Sequence, residues 1–214
     1  MNEAREQMIE QQVRAWHTLD EDVLALLRAV PRERFVPAAQ QFRAFADAEV
    51  PLPRGQHMLR PSVVGRLLQA LAPKSGERAL EIGAGSGYVT ACLATVCRQV
   101  GSVEIFPELA DLARANLSSS GIRNAQVSVE DARELSTSER YEVIAVTASL
   151  PVYDARYQEL LEVGGRLFVV VGDAPVMDAR LVRRIGANEW RHESLFETVV
   201  DPLVHATRPE AFSF

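Results

Sequence analysis

Apolar positions in the N-terminal part of the chain recur at helical spacing. The residues that show this spacing are Leu19, Val23, Leu26, Leu27 and Val30. Thr18 and Glu21 stand three positions apart at the start of the run, which is the spacing of a capping box. We therefore expect an amphipathic helix that begins near Thr18 and is closed by Pro31.

Residues 31–60 have a different character, because prolines and scattered aromatic residues interrupt any period. This composition predicts an irregular segment. Pro61 then suits the first turn of a new helix, because N–H groups in that turn have no partner within the helix and proline lacks an N–H. Helical spacing gives that helix an apolar face consisting of Val63, Val64, Leu67, Leu68 and Leu71.

From residue 78 onward, short apolar runs alternate with helical segments. The pattern predicts strands over residues 79–82, 100–105, 126–129, 143–147 and 166–171. Helices are expected over residues 88–97, 107–118 and 157–161, with a turn at Gly164-Gly165 before the last strand. Strands and helices that alternate with short loops are typical of a parallel sheet with helices on its faces.

The C-terminal tail alternates less clearly, and we expect antiparallel strands around residues 190–200. The predicted fold class is α/β: a Rossmann-like, doubly wound sheet, mostly parallel, with antiparallel C-terminal strands and an N-terminal helical extension. A length of 214 residues suits one such domain. We expect a single domain over residues 1–214, with the helical extension and its following loop in 1–75 and the α/β core in 76–214.

The charge balance is acidic, with 29 Asp and Glu against 23 Lys and Arg and a formal net charge of −6. This disfavours nucleic acid as a partner, because phosphate binding requires concentrated positive charge. No apolar run approaches the roughly 18 residues of a membrane helix, and the polar N-terminus does not resemble a signal peptide. We expect a cytoplasmic protein, a monomer by default. Cys92 and Cys97 are expected to be unpaired core residues, and no spacing predicts a metal site.

The segment after the strand at 79–82 is rich in glycine. Gly83, Gly85 and Gly87 let the backbone turn sharply and approach a ligand closely. Their G-x-G-x-G spacing differs from the G-x-G-x-x-G of dinucleotide sites, and the nearby Glu81 repels a pyrophosphate but attracts a sulfonium or ammonium group. The loop therefore favours S-adenosyl-L-methionine as cofactor. Its candidate cofactor-binding residues are Glu81, Gly83, Ala84, Gly85, Ser86 and Gly87.

The next three strands end on residues that suit the same ligand. Glu104 can accept hydrogen bonds from both ribose hydroxyls, and Asp131 can accept one from the adenine amine. The carboxyl ends of parallel strands are where such folds bind their ligands. The candidate cofactor-binding residues at these strand ends are Glu104, Ile105, Asp131, Ala132 and Thr147.

Several segments spread along the chain carry recognisable motifs. Residues 30–37 read V-P-R-E-R-F-V-P, and residues 80–88 read L-E-I-G-A-G-S-G-Y. Other motif segments are Phe45-Ala46-Asp47, Gly55-Gln56, Gly164-Gly165-Arg166-Leu167, Val171-Gly172 and Pro202-Leu203. Together they resemble the protein-L-isoaspartate O-methyltransferase family, whose corresponding motifs read V-P-R-E-x-F-V-P and L-E-I-G-T-G-S-G-Y. The resemblance covers nearly the whole chain and implies methylation of isoaspartyl carboxylates in damaged proteins or peptides.

The chain departs from the family in the loop that follows Gln56. The family usually reads G-Q-T-I-S-Q-P there, and this chain has His57 at the threonine, Leu59 at the serine and Arg60 at the glutamine. The resemblance implies that those hydroxyls hold the acceptor, whereas Leu59 cannot form a hydrogen bond. The family's G-D-G motif also becomes Glu130-Asp131-Ala132.

Two residues of this altered loop offer replacements for the lost contacts. Arg60 can pair with an acceptor carboxylate, and His57 can act as a general base for a hydroxyl or amine acceptor. Both also have ordinary interpretations as surface or packing residues. The catalytic candidate is thus His57, and the substrate-binding candidates are Gln56, Leu59 and Arg60. Three functions stay open: isoaspartyl O-methylation, methylation of another acceptor, and non-catalytic binding of S-adenosylmethionine.

Overall fold

The computed structural model describes residues 2–135 and 138–208. Its strands are β1 (Val50–Pro51), β2 (His57–Met58), β3 (Arg78–Ile82), β4 (Gln99–Glu104), β5 (Ala125–Val129), β6 (Tyr141–Leu150), β7 (Leu161–Asp173), β8 (Val176–Gly186) and β9 (Glu189–Thr198). The first two form a small antiparallel hairpin, and the other seven form one sheet in the order β5-β4-β3-β6-β7-β8-β9.

The sheet is parallel from β5 to β7 and antiparallel from β7 to β9. The chain runs outward from β3 through β4 to β5 and then returns to the other side of β3 as β6. This reversal places a crevice at the carboxyl ends of β3 and β6, where open α/β sheets bind their ligands. The predicted Rossmann-like sheet with antiparallel C-terminal strands is confirmed.

The helices are α1 (Asn2–Met8), α2 (Glu21–Ala29), α3 (Pro61–Leu71), α4 (Tyr88–Val96), α5 (Pro107–Ser119) and the single turn α6 (Arg156–Glu159). Apolar side chains of α2 to α5 pack with one face of the sheet in a single buried cluster that also includes the N-terminal residues Met8, Ile9 and Val13. The opposite face packs against α6 and the loops around it. Among the described residues, each helix is too short or too polar to cross a lipid bilayer.

The structure corrects two local predictions in the helical regions. Thr18 is not the N-cap of α2: the Asp20 carboxylate accepts the backbone N–H groups of Asp22 and Val23 at 2.9 and 3.3 Å. An aspartate directly before the first turn is an efficient cap, so the capping-box prediction was wrong. The helix expected over residues 157–161 is also wrong in extent, because Leu161 already pairs with Tyr141 in the sheet.

Other local expectations agree with the structure. Pro61 begins α3, and residues 31–60 contain only 3-10 turns and the β1–β2 hairpin. Cys92 and Cys97 are both buried and unpaired. By contrast, the turn predicted at Gly164-Gly165 before the last parallel strand is wrong, because both glycines lie within β7 at a bulge where the register shifts between Tyr141 and Val143.

Candidate active site

The glycine loop joins the end of β3 to the start of α4. Gly83 has φ 97° and Gly87 has φ 83°, both in the left-handed region that favours glycine. A Cβ atom at Gly83 would lie 2.8 Å from Thr147 Oγ1, and one at Gly87 would lie 3.2 Å from backbone atoms of Ala113. The backbone N–H groups of Gly83 and Ala84 donate to the Val103 carbonyl at 2.9 and 3.2 Å. The loop is therefore held tightly over the ends of β3 and β4.

Glu81 lies under this loop with only 1% of its surface exposed. The hydroxyl groups of Thr90 and Ser102 donate to its Oε2 atom, the latter at 3.1 Å. Burial raises the pKa of Glu81 to about 8, and the neighbouring charge of Glu104 also raises it, although the two hydroxyl donors oppose this shift. At neutral pH the carboxyl group is therefore mostly protonated, and a cationic ligand nearby would favour its ionisation.

Glu104 ends β4 and reaches back to the same loop. Its Oε2 atom accepts the Gly85 N–H at 2.9 Å, and its Oε1 atom accepts the Phe106 N–H at 3.1 Å. The side chain is 6% exposed and borders both cavities of the site. A carboxylate held in this way presents its remaining lone pairs to a ligand in either cavity.

Two neighbouring cavities occupy the crevice. The first measures about 670 Å³, partly open to solvent, and lies between the glycine loop and the β1–β2 hairpin. The second measures about 400 Å³ and lies beyond the end of β4, with Ile105 and Ala132 in its wall. The cavities share four wall residues: Gln56, Gly83, Glu104 and Ala148. The two cavities are therefore adjacent, which suits a ligand with a nucleoside in one and a reactive group in the other.

The remaining residues of the predicted cofactor site are placed as follows. Ala84, Gly85 and Ser86 line the first cavity, together with Thr147. The Thr147 hydroxyl donates to the carbonyl groups of Ile82 and Gly83 at 3.0 and 2.7 Å, so it fixes the loop. Gly87 is the N-cap of α4 and is not a wall residue of either cavity.

The Asp131 carboxylate already forms hydrogen bonds with other groups of the protein. Its Oδ2 atom lies 2.7 Å from His205 Nδ1, and its Oδ1 atom accepts the Arg133 N–H at 2.9 Å. Partial burial works to raise the pKa of Asp131, but the hydrogen bonds from His205 and Arg133 outweigh it and hold the pKa below its ordinary value. Its role towards adenine stays a prediction, because the carboxylate would have to exchange or share its His205 partner with the ligand.

The altered loop contributes four residues to the first cavity, namely Gln56, His57, Met58 and Leu59. His57 Nδ1 lies 2.9 Å from Asp201 Oδ2, and both side chains are about one-third exposed, at 34% and 31%. Arg60 is not a wall residue of the cavity, and its Nη2 atom donates to Thr198 Oγ1 at 3.2 Å. Its pairing with an acceptor stays a prediction, and this geometry does not support it.

The sequence did not single out two further residues of the site, Arg32 and Asp201. Arg32 is 1% exposed, donates from Nη2 to the Leu59 carbonyl at 2.9 Å and lies 5.3 Å from the Tyr88 ring centroid. Burial lowers the pKa of this guanidinium. The signal available for Arg32 was its place in the V-P-R-E-R-F-V-P motif. Asp201 stood directly before the Pro202-Leu203 motif, but nothing local indicated its partner.

The fold and this site define a class of protein. A parallel sheet with a glycine loop after its first strand, and a carboxylate at the end of the next, is the arrangement of Rossmann-like methyltransferases. The model of the family Protein-L-isoaspartate(D-aspartate) O-methyltransferase (PCMT) matches residues 2–207. The chain belongs to this family.

Individual proteins agree with the family assignment. The chain is 39% identical over 203 residues to protein-L-isoaspartate O-methyltransferase 1 of Rhodopseudomonas palustris (strain HaA2), covering 94% of this chain and 82% of that protein. It is 40% identical over 187 residues to a protein-L-isoaspartate O-methyltransferase of Methanoculleus marisnigri, covering 86% and 85%. A Plasmodium falciparum beta-aspartate methyltransferase (PCMT) in complex with S-adenosyl-L-homocysteine has the same fold, with a TM-score of 0.79 at 20% identity, covering 92% of this chain and 96% of that one.

Proposed function

We propose that this chain transfers a methyl group from S-adenosyl-L-methionine to the carboxylate of isoaspartyl residues in proteins or peptides, and releases S-adenosyl-L-homocysteine. The observation that carries the proposal is the pair of adjacent cavities, which share Glu104 and meet the family-specific loop at Gln56. Two relatives, 39% and 40% identical to this chain and aligned over most of their length, are named for this activity.

The residues present fit the cofactor. We assign to Glu104, which borders both cavities, the hydrogen bonds from the ribose hydroxyls, and to Ile105 and Ala132 the apolar contacts with the adenine in the second cavity. Gly83 and Gly85 line the first cavity without side chains, and a Cβ at Gly83 would lie 2.8 Å from Thr147 Oγ1. Glu81 lies in the wall of the first cavity and gains a favourable charge interaction when a cationic group enters.

Methyl transfer to a carboxylate requires correct orientation of the two reactants more than it requires proton transfer. S-adenosylmethionine supplies a methyl group on a positively charged sulfur, and an acceptor carboxylate with an ordinary pKa near 4 is already ionised at neutral pH. The protein therefore needs to hold the carboxylate oxygen in line with the methyl group and to exclude water. Wall residues Leu52, Met58 and Leu59 supply the apolar surface that excludes water at the acceptor end.

A second candidate function is a methyltransferase for an acceptor that must lose a proton. The His57–Asp201 hydrogen bond favours this alternative, because a histidine oriented by a carboxylate through Nδ1 can take up a proton at Nε2. A hydroxyl or amine acceptor needs such a base, whereas a carboxylate does not.

The proposal includes a protein or peptide partner, no nucleic acid, a monomeric state and a cytoplasmic location. The acidic net charge of −6 supports the absence of nucleic acid. The two buried, unpaired cysteines are compatible with a reducing compartment. We also propose that residues 1–214 form a single domain, which the buried cluster shared by the N-terminal residues and the sheet supports.

Methyl transfer from labelled S-adenosylmethionine tests the function. An isoaspartyl peptide is compared with the matching aspartyl peptide, and binding of S-adenosylhomocysteine is measured separately by calorimetry. Base-labile label on the isoaspartyl peptide alone is the expected result. Cofactor binding without transfer to that peptide would refute the proposed acceptor, and transfer to a hydroxyl or amine panel would then establish the second candidate.

A further inference from the structure

The wall of the first cavity has an excess of acidic groups. Among the described wall residues, Glu49, Glu81, Glu104 and Asp201 are acids, whereas Arg32 and His57 are the two that can carry positive charge. Burial raises the pKa of Glu81 to about 8, so this carboxyl group is mostly protonated at neutral pH, and Glu49, Glu104 and Asp201 are the other acids in the wall. A carboxylate acceptor entering this cavity therefore needs a nearby positive donor to offset repulsion.

Arg32 does not meet this need by direct contact. Its side chain is 1% exposed, and its Nη2 atom is already bound to the Leu59 carbonyl at 2.9 Å. The Nε and Nη1 atoms are enclosed and have no hydrogen-bond partner among the described residues. Arg32 thus acts as a nearly enclosed fixed charge in the cavity wall, and the side chain of its neighbour Leu59 offers no hydrogen bond.

His57 is placed to make the contact. It sits in β2, where its backbone pairs with Pro51, and its imidazole ring is 34% exposed at the open side of the cavity. Its Nδ1 atom faces Asp201 Oδ2 at 2.9 Å, and a carboxylate can only accept. The ring must therefore carry its Nδ1 proton towards Asp201, and no described residue partners Nε2.

Asp201 is itself held by the backbone around it. The Ser149 N–H donates to the Asp201 carbonyl at 2.8 Å, and the Leu203 N–H donates to the Ser149 carbonyl at 2.8 Å. The Ser149 hydroxyl also donates to the Val200 carbonyl at 3.3 Å, and Ser149 is fully buried. The end of β6 thus fixes the position from which the Asp201 carboxylate orients the His57 ring.

We propose that His57, as an imidazolium oriented by Asp201, donates a hydrogen bond from Nε2 to the acceptor carboxylate and so replaces the hydroxyl contact that Leu59 cannot make. This inference rests on the proposed function, since it concerns how the same isoaspartyl acceptor is held. His57 contacts the acceptor, and Asp201 is a positioning residue that also stabilises the charged ring. The ring contacts Asp201, and the other charged or titratable side chains that line the same cavity are Glu49, Glu81, Glu104 and Arg32. No proton is transferred in the step.

The test measures initial rates of methyl transfer to an isoaspartyl peptide between about pH 6 and about pH 9, a range that spans ordinary imidazole titration. The variants are His57→Ala, His57→Gln and Asp201→Asn. His192→Gln is the matched control, because the His192 ring packs against Tyr153, 5.2 Å between centroids, and is not a wall residue of the cavity. Affinity for S-adenosylhomocysteine is measured for every variant to show that the fold and the cofactor site are intact.

We expect His57→Ala to raise KM for the peptide by about tenfold to a hundredfold, as for loss of a charge-assisted hydrogen bond, with kcat changed only a few-fold. His57→Gln should recover part of the loss, because its amide still donates. The dependence of kcat/KM on pH should differ between the wild type and His57→Gln, because only the imidazole can gain or lose a proton. Asp201→Asn should also raise KM for the peptide, because the ring loses the partner that orients it.

Two outcomes would overturn the inference while leaving the proposed function intact. The first is isoaspartyl methylation with unchanged KM and pH profile in the His57 variants. The second is a wild-type kcat/KM that rises with pH together with a large loss of kcat in His57→Ala. That result would make His57 a general base. A wild-type protein that binds the cofactor but never methylates the isoaspartyl peptide would instead refute the proposed function, and this inference with it.

Discussion

Replacing Glu81 with glutamine removes a carboxyl group that the fold holds in its protonated form. The substitution preserves the shape of the side chain, and the amide oxygen can still accept the hydroxyl groups of Thr90 and Ser102. The difference between the two proteins is therefore the ability to ionise inside the core. That difference has a defined dependence on pH.

The magnitude follows from the pKa of Glu81, which burial raises from 4.5 to about 8. Because the folded-state value lies above the unfolded value, stability from this group is fully present below about pH 4.5 and is lost as the pH rises towards 8. At about 1.4 kcal/mol for each pH unit, the loss approaches about 5 kcal/mol. Glu81→Gln does not have this loss, so the difference in free energy of unfolding in favour of the variant should grow as the pH rises from about 4.5 to about 8.

Urea unfolding of both proteins at a series of pH values measures this difference directly. We expect nearly equal free energies of unfolding near pH 4.5 and a variant more stable by several kcal/mol above pH 8. Parallel stability curves over the whole range would refute the reasoning. Calorimetry in buffers of different ionisation enthalpy gives a second readout: the wild type should release a proton when it binds S-adenosylmethionine near neutral pH, and Glu81→Gln should not.

Three further perturbations are expected to have measurable effects. Glu104→Gln should weaken S-adenosylhomocysteine binding by about tenfold to a hundredfold, the value of a charge-assisted hydrogen bond, and an unchanged Kd would contradict its role. Arg166→Met should lower the free energy of unfolding by about 3–5 kcal/mol, because Glu77 loses its ion pair of 2.6 Å and the Leu71 and Ala72 carbonyls lose their donor; a loss below about 1 kcal/mol would contradict this. Cys92, whose pKa burial raises to about 12, should resist alkylation in the native protein and react in urea; fast native labelling would contradict its burial.

The parallel half of the fold could be predicted because its signals are local. The strands β3 and β6 contain apolar runs, the strands β4 and β5 contain separated valines, and a glycine or proline lies close to the end of β3, β4 and β6. The strand β8 was missed although its alternation is visible, with Met177, Ala179 and Leu181 buried between charged residues. Charged side chains on the other face of that strand lower its mean hydropathy, so a search for apolar runs passes over it.

The site was only partly predictable, for a geometric reason. The glycine loop and Glu104 belong to one strand–helix–strand unit, so their meeting follows from the order of elements. The His57–Asp201 pair joins residues 144 positions apart, and only the assembled fold brings them together. Arg60 shows the converse: its place in the loop suggested a contact with the acceptor, but its guanidinium points to Thr198.

The segment after β9 borders both ends of the site. Asp201 holds His57 in the first cavity, Leu203 and Val204 line the second, and His205 binds Asp131. Natural or designed changes in acceptor preference must therefore be accommodated by the loop and this segment together. Among related sequences, histidine at the position of His57 and aspartate at the position of Asp201 should be gained and lost as a pair. Transplanting the loop alone into a relative should leave the imidazole without its orienting carboxylate.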